Sequence, residues 1–287
     1  MLTPPGHRLV AASGRRYGVV GWPVGHSRSP AMHRALGLDY QLLPVPPPRA
    51  EAVLRALPAS GFAGVNVTIP HKEAALAVAD RASEAAVAIG AANTLIYERD
   101  GTIVAENTDA PGLLAALAGR PVASAVVLGA GGSARAVVWA LVSIGCEVLV
   151  WNRTPQRARA LTESLGGVAI ELRDRELAPP ADLLVNCTAA ELDHVSNPMV
   201  ALPLATDHLA KYATVVDLAY RPGGTVLTAE AAQRTTVVDG LDILVQQGAR
   251  SYELWTGTSP DVAVMRSAVR DDNDGATHDP PSRRSLR

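Results

Sequence analysis

The stretch from Ala125 to Ala136, AVVLGAGGSARA, constrains this chain more than any other, because strand, glycine-turn and helix signals follow one another without a gap. Ala125, Val126, Val127 and Leu128 form a short apolar run suited to a strand buried on both faces. Gly129, Gly131 and Ala134 then fall at G-x-G-x-x-A spacing. Gly129 suits the tight turn, Gly131 lets the backbone approach a pyrophosphate, and the small Ala134 lets the helix pack closely on the sheet. The free N–H groups and dipole of that helix N-terminus favour an anion. The competing reading is a glycine turn that is mere punctuation.

The segment after the loop decides which nucleotide. The helix predicted from Ser133 to Ile144 closes at Gly145, and the run Glu147 to Trp151 makes a second parallel strand that delivers Asn152, Arg153 and Thr154 at its end. An acidic residue about 20 positions past the glycines would hold an NAD ribose. Here Asn152 is followed by Arg153, with Arg157 beyond, so a 2′-phosphate and hence NADP is expected. Thr154 before Pro155 is also an ordinary helix start, and Arg157 can be merely solvated, which leaves the cofactor choice on Arg153.

At 287 residues the chain has room for two domains and a cleft between them. Its formal net charge of −2 gives no footprint for nucleic acid or an anionic membrane and favours a small-molecule partner. Cys146 and Cys187 are far apart and each lies in an apolar run, which reads as buried thiols with no disulfide framework and no metal site. The first dozen residues read as a loose leader without a signal-peptide core. The most apolar stretch, 136–151, is interrupted by Ser143, Gly145 and Glu147 before it could span a bilayer. A cytoplasmic protein is expected.

Upstream of the loop, Tyr17 to Gly21 reads as a strand followed by a turn and a short helix, with Ser29 as N-cap, Pro30 in the first turn and Gly37 at the end. Ser27 has no such local role, and a hydroxyl pair flanking Arg28 could instead hold a carboxylate. Strand and helix are expected over 41–45 and 51–57. In GVNVTIPHK, Val65, Val67 and Ile69 alternate with Asn66 and Thr68, so both polar side chains share one strand face. Pro70 opens a helix and puts Lys72 in its first turn, where a cation opposes the helix dipole. These residues are either a solvated sheet face with a surface lysine or a site. Likewise Asn93 is a turn residue or a ligand, and Asp109 a cap for the helix to Leu117 or something more. A helix over 83–89 and a hairpin through Asp100–Gly101 precede them.

Beyond the loop, a helix over 155–165, strands near 168–172, 182–187, 214–218 and 236–239, and a helix over 229–234 continue the alternation of a doubly wound α/β sheet. From Gly240, Leu241, Leu244, Val245, Gly248, Tyr252 and Trp255 recur at helical spacing with Gln247 beside the stripe, and another helix spans 260–269. The polar, Pro-rich end, 271–287, reads as a disordered tail.

Taken together, HSRSP at 26–30, NVTIPHK at 66–72, GAANT at 90–94, ENTDAPG at 106–112, GAGGSAR at 129–135, NRTPQRA at 152–158, Asp217 to Tyr220, and GLDILVQQGA at 240–249 resemble the shikimate dehydrogenase family, in family order. The resemblance implies an α/β protein of two domains. Residues 1–109 and 242–287 would form the substrate domain, and 110–241 an inserted Rossmann domain. It implies that Ser27 and Ser29 bind the shikimate carboxylate with Tyr220 nearby, that Asn66, Thr68, Asn93 and Gln247 hold the ring hydroxyls, and that Lys72 and Asp109 are the catalytic pair. Gly129, Ala130, Gly131, Gly132, Ser133 and Ala134, with Asn152, Arg153, Thr154, Arg157 and Gly240, would contact NADP. The implied reaction is NADPH-dependent reduction of 3-dehydroshikimate to shikimate in chorismate biosynthesis, by a monomer or homodimer.

Three places depart from the family pattern: the loop over 188–196, Ile243 where many members have methionine, and Asp242 in place of a common small residue. A quinate-using relative and a catalytically silent NADP-binding sensor are the competing readings. Ser27, Ser29 and Arg153 weigh against the first, and Lys72 with Asp109 against the second.

Overall fold

The computed structural model describes residues 14–173, 176–188, 198–221 and 223–271. The leader, the departing loop past Thr188 and the tail past Asp271 lie outside the described residues.

The first part of the chain runs β1 (Arg16–Gly21), α1 (Ser29–Ala35), β2 (Asp39–Pro44), α2 (Ala50–Ala56), β3 (Phe62–Val67), α3 (Lys72–Ala77), β4 (Arg81–Ala82), α4 (Glu84–Ile89), β5 (Thr94–Tyr97), β6 (Ile103–Glu106) and α5 (Asp109–Leu117). Its six strands form one mixed sheet in the order β2-β1-β3-β5-β6-β4. β1 is parallel to both β2 and β3, whereas β3, β5 and β6 are antiparallel to one another in turn.

The second part runs β7 (Ser124–Leu128), α6 (Gly132–Ser143), β8 (Glu147–Trp151), α7 (Pro155–Leu165), β9 (Val168–Ile170), β10 (Ala181–Asn186), β11 (Tyr212–Asp217), α8 (Val226–Ala232) and β12 (Thr236–Val238). These strands form a wholly parallel sheet ordered β12-β11-β10-β7-β8-β9. The order reverses between β7 and β10, so the turns after those two strands flank the crevice where doubly wound sheets bind ligands. As expected of strands covered on both faces, Val126, Val127, Leu128, Leu183, Leu184 and Val185 are fully buried.

The chain then returns to the first sheet through α9 (Gly240–Thr256) and α10 (Val262–Arg270). α9 crosses α5 at Gly112, where an added Cβ would lie 2.8 Å from Gln247 backbone nitrogen. Only a residue without a side chain permits that approach, and it brings Gln247 to the end of the first sheet. Met32, Val245, Ala249, Met265 and Val269 pack α1, α9 and α10 together. Asp242 has a partner of its own: Arg270 donates to it at 3.1 Å and to Asp239, the N-cap of α9, at 3.2 Å, tying α10 to the start of α9.

Three local expectations change. Ser29 does not cap α1; it is the first helical residue, the N-cap residue Arg28 makes no side-chain cap bond, and Ser27 Oγ accepts the Ser29 backbone N–H at 3.3 Å. The strand through Asn66 stops at Val67, so Ile69 is exposed and α3 begins at Lys72 after the turn containing Pro70. Nor does Asp109 cap α5, because Asn107 Oδ1 takes the backbone N–H groups of Asp109 and Ala110 at 3.1 and 3.3 Å. The carboxylate of Asp109 is thereby left for another use.

Candidate active site

That use is Lys72. Its Nζ donates to Asp109 Oδ2 at 2.6 Å, and the two side chains are 9 % and 18 % exposed. Lys72 is the first residue of α3 and Asp109 the first of α5, so both stand at helix N-termini. Negative charge is favoured there and positive charge is not, so the carboxylate offsets the dipole that opposes the ammonium. A near-buried pair of this kind leaves a costly lone charge if either member is removed.

The pair ends a longer run of polar contacts. Asn93 Nδ2 donates to Asp109 Oδ1 at 2.8 Å and points also at Thr108 Oγ1 and Gln247 Oε1, at 2.9 and 3.2 Å. Asn93 Oδ1 accepts the Thr108 backbone N–H at 2.7 Å, which fixes the orientation of the amide. Thr108 and Ser251 hydroxyls lie 3.2 Å apart, and Asn66 Nδ2 donates to Ser251 Oγ at 2.9 Å and to Thr94 Oγ1 at 3.1 Å. Asn66 Oδ1 accepts the Tyr40 hydroxyl at 2.7 Å. Tyr40 is wholly buried, which pushes its phenol up. Ser27 Oγ donates to Ser29 Oγ at 3.2 Å, and the Tyr220 hydroxyl accepts the Arg28 backbone N–H at 3.4 Å. Burial raises the Tyr220 phenol too.

The structure thus joins Ser27, Ser29, Asn66, Asn93, Gln247, Tyr220, Lys72 and Asp109 at one end of the first sheet. Thr68 lies in the turn after β3, where its backbone N–H bonds Val20 and its methyl group crowds Gly21. Tyr40, Thr94, Thr108 and Ser251 are additional members. Thr94 and Thr108 adjoin Asn93 and Asp109 in the sequence, and Ser251 lies one helical turn beyond Gln247, so helical spacing carried a signal for it. Nothing local marks Tyr40 in its strand.

On the other side, Gly129 has a φ of +111° and turns the chain directly after β7, with its N–H on the Trp151 carbonyl at 2.7 Å. Gly131 precedes α6 as N-cap, and a Cβ there would meet nothing within 4 Å, leaving open space over the helix N-terminus. The first N–H groups of Gly132, Ser133 and Ala134 have no intrahelical acceptor. Ala130 lies in the loop itself, between Gly129 and Gly131. Asn152 donates to the Thr154 carbonyl at 2.9 Å, shaping the turn that presents Arg153. Arg153 and Arg157 are exposed, and among the described residues the Arg153 guanidinium has no ion-pair partner. Thr154 is the N-cap of α7 without a side-chain bond. An anion-receptive helix end with a free guanidinium one strand away fits a dinucleotide bearing an extra phosphate. Gly240 is different: an added Cβ would run into the Leu218 and Ala219 carbonyls, so its smallness seats α9 on the loop to Tyr220. Ile243 is buried in the second sheet's core. Cys187, at the end of β10, has its thiol raised by burial and by the Asp217 charge.

The chain matches three family models: the shikimate dehydrogenase substrate binding domain over residues 19–95, shikimate / quinate 5-dehydrogenase over 114–223, and the shikimate 5′-dehydrogenase C-terminal domain over 240–270. It is 46 % identical over 269 residues to a shikimate dehydrogenase (NADP+) of Thermus thermophilus, covering 89 % of this chain and 97 % of that one. To the Rhodospirillum rubrum enzyme of the same name it is 44 % identical over 283 residues, covering 91 % and 99 %. A crystal structure of a Thermus thermophilus shikimate 5-dehydrogenase in complex with NADP(H) and shikimate superposes with a TM-score of 0.76 at 42 % identity, covering 89 % of this chain and 98 % of that one. A buried lysine–aspartate pair beside a glycine loop, matched in sequence and fold along nearly the whole described chain, places this protein in the shikimate dehydrogenase family.

Proposed function

We propose that this chain catalyses the reversible NADP-dependent interconversion of 3-dehydroshikimate and shikimate in the cytoplasm, with residues 1–109 and 242–287 as the substrate domain and 110–241 as the inserted nucleotide domain. The observation that carries the reading is Lys72 Nζ held at 2.6 Å by Asp109 Oδ2, with Asn93 bonded to both Asp109 and Gln247 and with Ser133 of the glycine loop on the same Nζ.

NADPH, when bound, supplies the hydride that reduces the C3 carbonyl. Its pyrophosphate is assigned to the backbone of Gly129–Ala134, and its 2′-phosphate to Arg153 with Asn152, Thr154 and Arg157. Lys72 delivers a proton to the alkoxide oxygen as it develops, and Asp109 fixes the direction of Nζ and balances its charge. Asn66, Thr68, Asn93 and Gln247 take the ring hydroxyls, and Ser27, Ser29 and Tyr220 take the carboxylate. Their existing hydrogen bonds keep these groups in place before substrate arrives, so little reorganisation accompanies binding.

The test is the initial rate of NADP reduction with shikimate and with quinate, repeated with NAD. Shikimate with NADP should be the fastest pair. Quinate as the better substrate would overturn the specificity, and no turnover with any pair would overturn the catalytic reading.

A further inference from the structure

The first turn of α6 meets the substrate half at closely spaced points. Gly132 lies against the stem of Lys72, where an added Cβ would come within 3.3 Å of Lys72 Cβ. Ser133 Oγ accepts a hydrogen bond from Lys72 Nζ at 2.8 Å. Arg135 Nε donates to the Ile89 carbonyl at the end of α4. A glycine loop serves its nucleotide through backbone N–H groups, which leaves the hydroxyl of a serine in it to other work. Here that hydroxyl points away from the loop, into the site of the other half.

We propose that Ser133 is a positioning residue for Lys72, so that the dinucleotide loop aims the proton donor as well as holding the cofactor. The proposal rests on Lys72 being that donor. An ammonium has three N–H groups on a flexible four-carbon stem. Asp109 takes one from the substrate half and Ser133 takes a second from the nucleotide half, which leaves the third with a defined direction. With Asp109 alone, Nζ could swing about a single contact, and a misdirected donor slows proton delivery without weakening ligand binding.

Ser133→Ala should lower kcat about ten- to 150-fold, the range of one hydrogen bond to a charged group, while the Kd for NADP stays within about twofold. Ser133→Thr, which keeps the hydroxyl, should recover most of kcat. Adding Ser133→Ala to Lys72→Met should cost nothing further, since the serine acts through the lysine.

A readout without turnover exists as well, because the sequence contains only two lysines, Lys72 and the exposed Lys211. Trinitrobenzenesulfonate labelling of the apo-protein, read by mass spectrometry with Lys211 as internal reference, should modify Lys72 at least about threefold faster in Ser133→Ala. An unchanged labelling ratio, or a raised NADP Kd with kcat intact, would show Ser133 to be a cofactor ligand alone and overturn the proposal. If Lys72→Met itself retains kcat, the catalytic assignment fails. The labelling ratio still decides whether Ser133 holds Lys72.

Discussion

The two halves that meet at Lys72 are built for the proposed ligands by opposite means. In the first half, Asn66, Asn93 and Gln247 are buried, and their side chains hydrogen-bond to one another's neighbours in a continuous run from Tyr40 to Asp109. In the second half, the groups proposed to hold the nucleotide are backbone at a helix end and exposed guanidinium groups at Arg153 and Arg157. A polar network closed in on itself resists change at every member, because each deletion strands a buried partner. An exposed cation answers only to the charge set beside it and can be exchanged with little effect on the fold.

The largest effect expected is at the junction. Lys72→Ala should reduce kcat by about 10²–10⁴, roughly 3–5 kcal/mol of barrier, with a smaller change in KM. A variant with near-normal kcat in steady-state assays would break the comparison at its centre. Next, Asn93→Ala should lose about 2–3 kcal/mol of unfolding stability in chemical denaturation and raise KM for shikimate, since Thr108, Asp109 and Gln247 all lose a partner. On the exposed side, Arg153→Asp should shift the kcat/KM preference for NADP over NAD by about 10–100-fold, roughly 1.4–2.8 kcal/mol, and leave the denaturation midpoint unchanged. A destabilised Arg153→Asp protein would blur the distinction between the halves.

A separate expected effect concerns acid. His33 is fully buried and stacked on Tyr40 at 4.5 Å, and desolvation brings its imidazole down from 6.5 to about 3. Between those values the unfolded chain binds the proton and the folded one does not. The contribution is therefore complete above about pH 6.5 and is lost as pH falls toward 3, by at most about 1.4 kcal/mol per pH unit. His33→Phe keeps the stack and removes the proton, so its stability should fall less steeply than wild type between pH 6.5 and 4. Equal slopes in denaturation series would show that carboxylates alone set the acid sensitivity.

The same contrast governs how much was legible in the sequence. The nucleotide half is locally written: strand, glycine turn, helix and second strand are consecutive from Ser124 to Trp151, and the expected elements agree with those found to within a few residues. The proposed substrate site is assembled from distant segments. Spacing gave no reason to join Asn93 to Gln247, 154 residues apart, and their pairing was reached by resemblance. Local rules favour a cap at Ser29 and leave Asp109 open between a cap and another use, because a helix start offers the same residue types whether the side chain serves its own backbone or reaches elsewhere. Tyr40 escaped notice because a tyrosine in a strand is ordinary until its hydroxyl is found on Asn66.

The return of α9 to the first sheet also bears on how the molecule is made. Asn66 and Asn93 leave the ribosome early, but the side chains that complete their surroundings, Gln247 and Ser251, come with the final helices. As domains form in order of synthesis, the inserted parallel sheet can close on its own core while the first sheet still waits for its last wall. During that interval the amides of Asn66 and Asn93 are solvated by water, so the surroundings of these two side chains close only after the second sheet has been made.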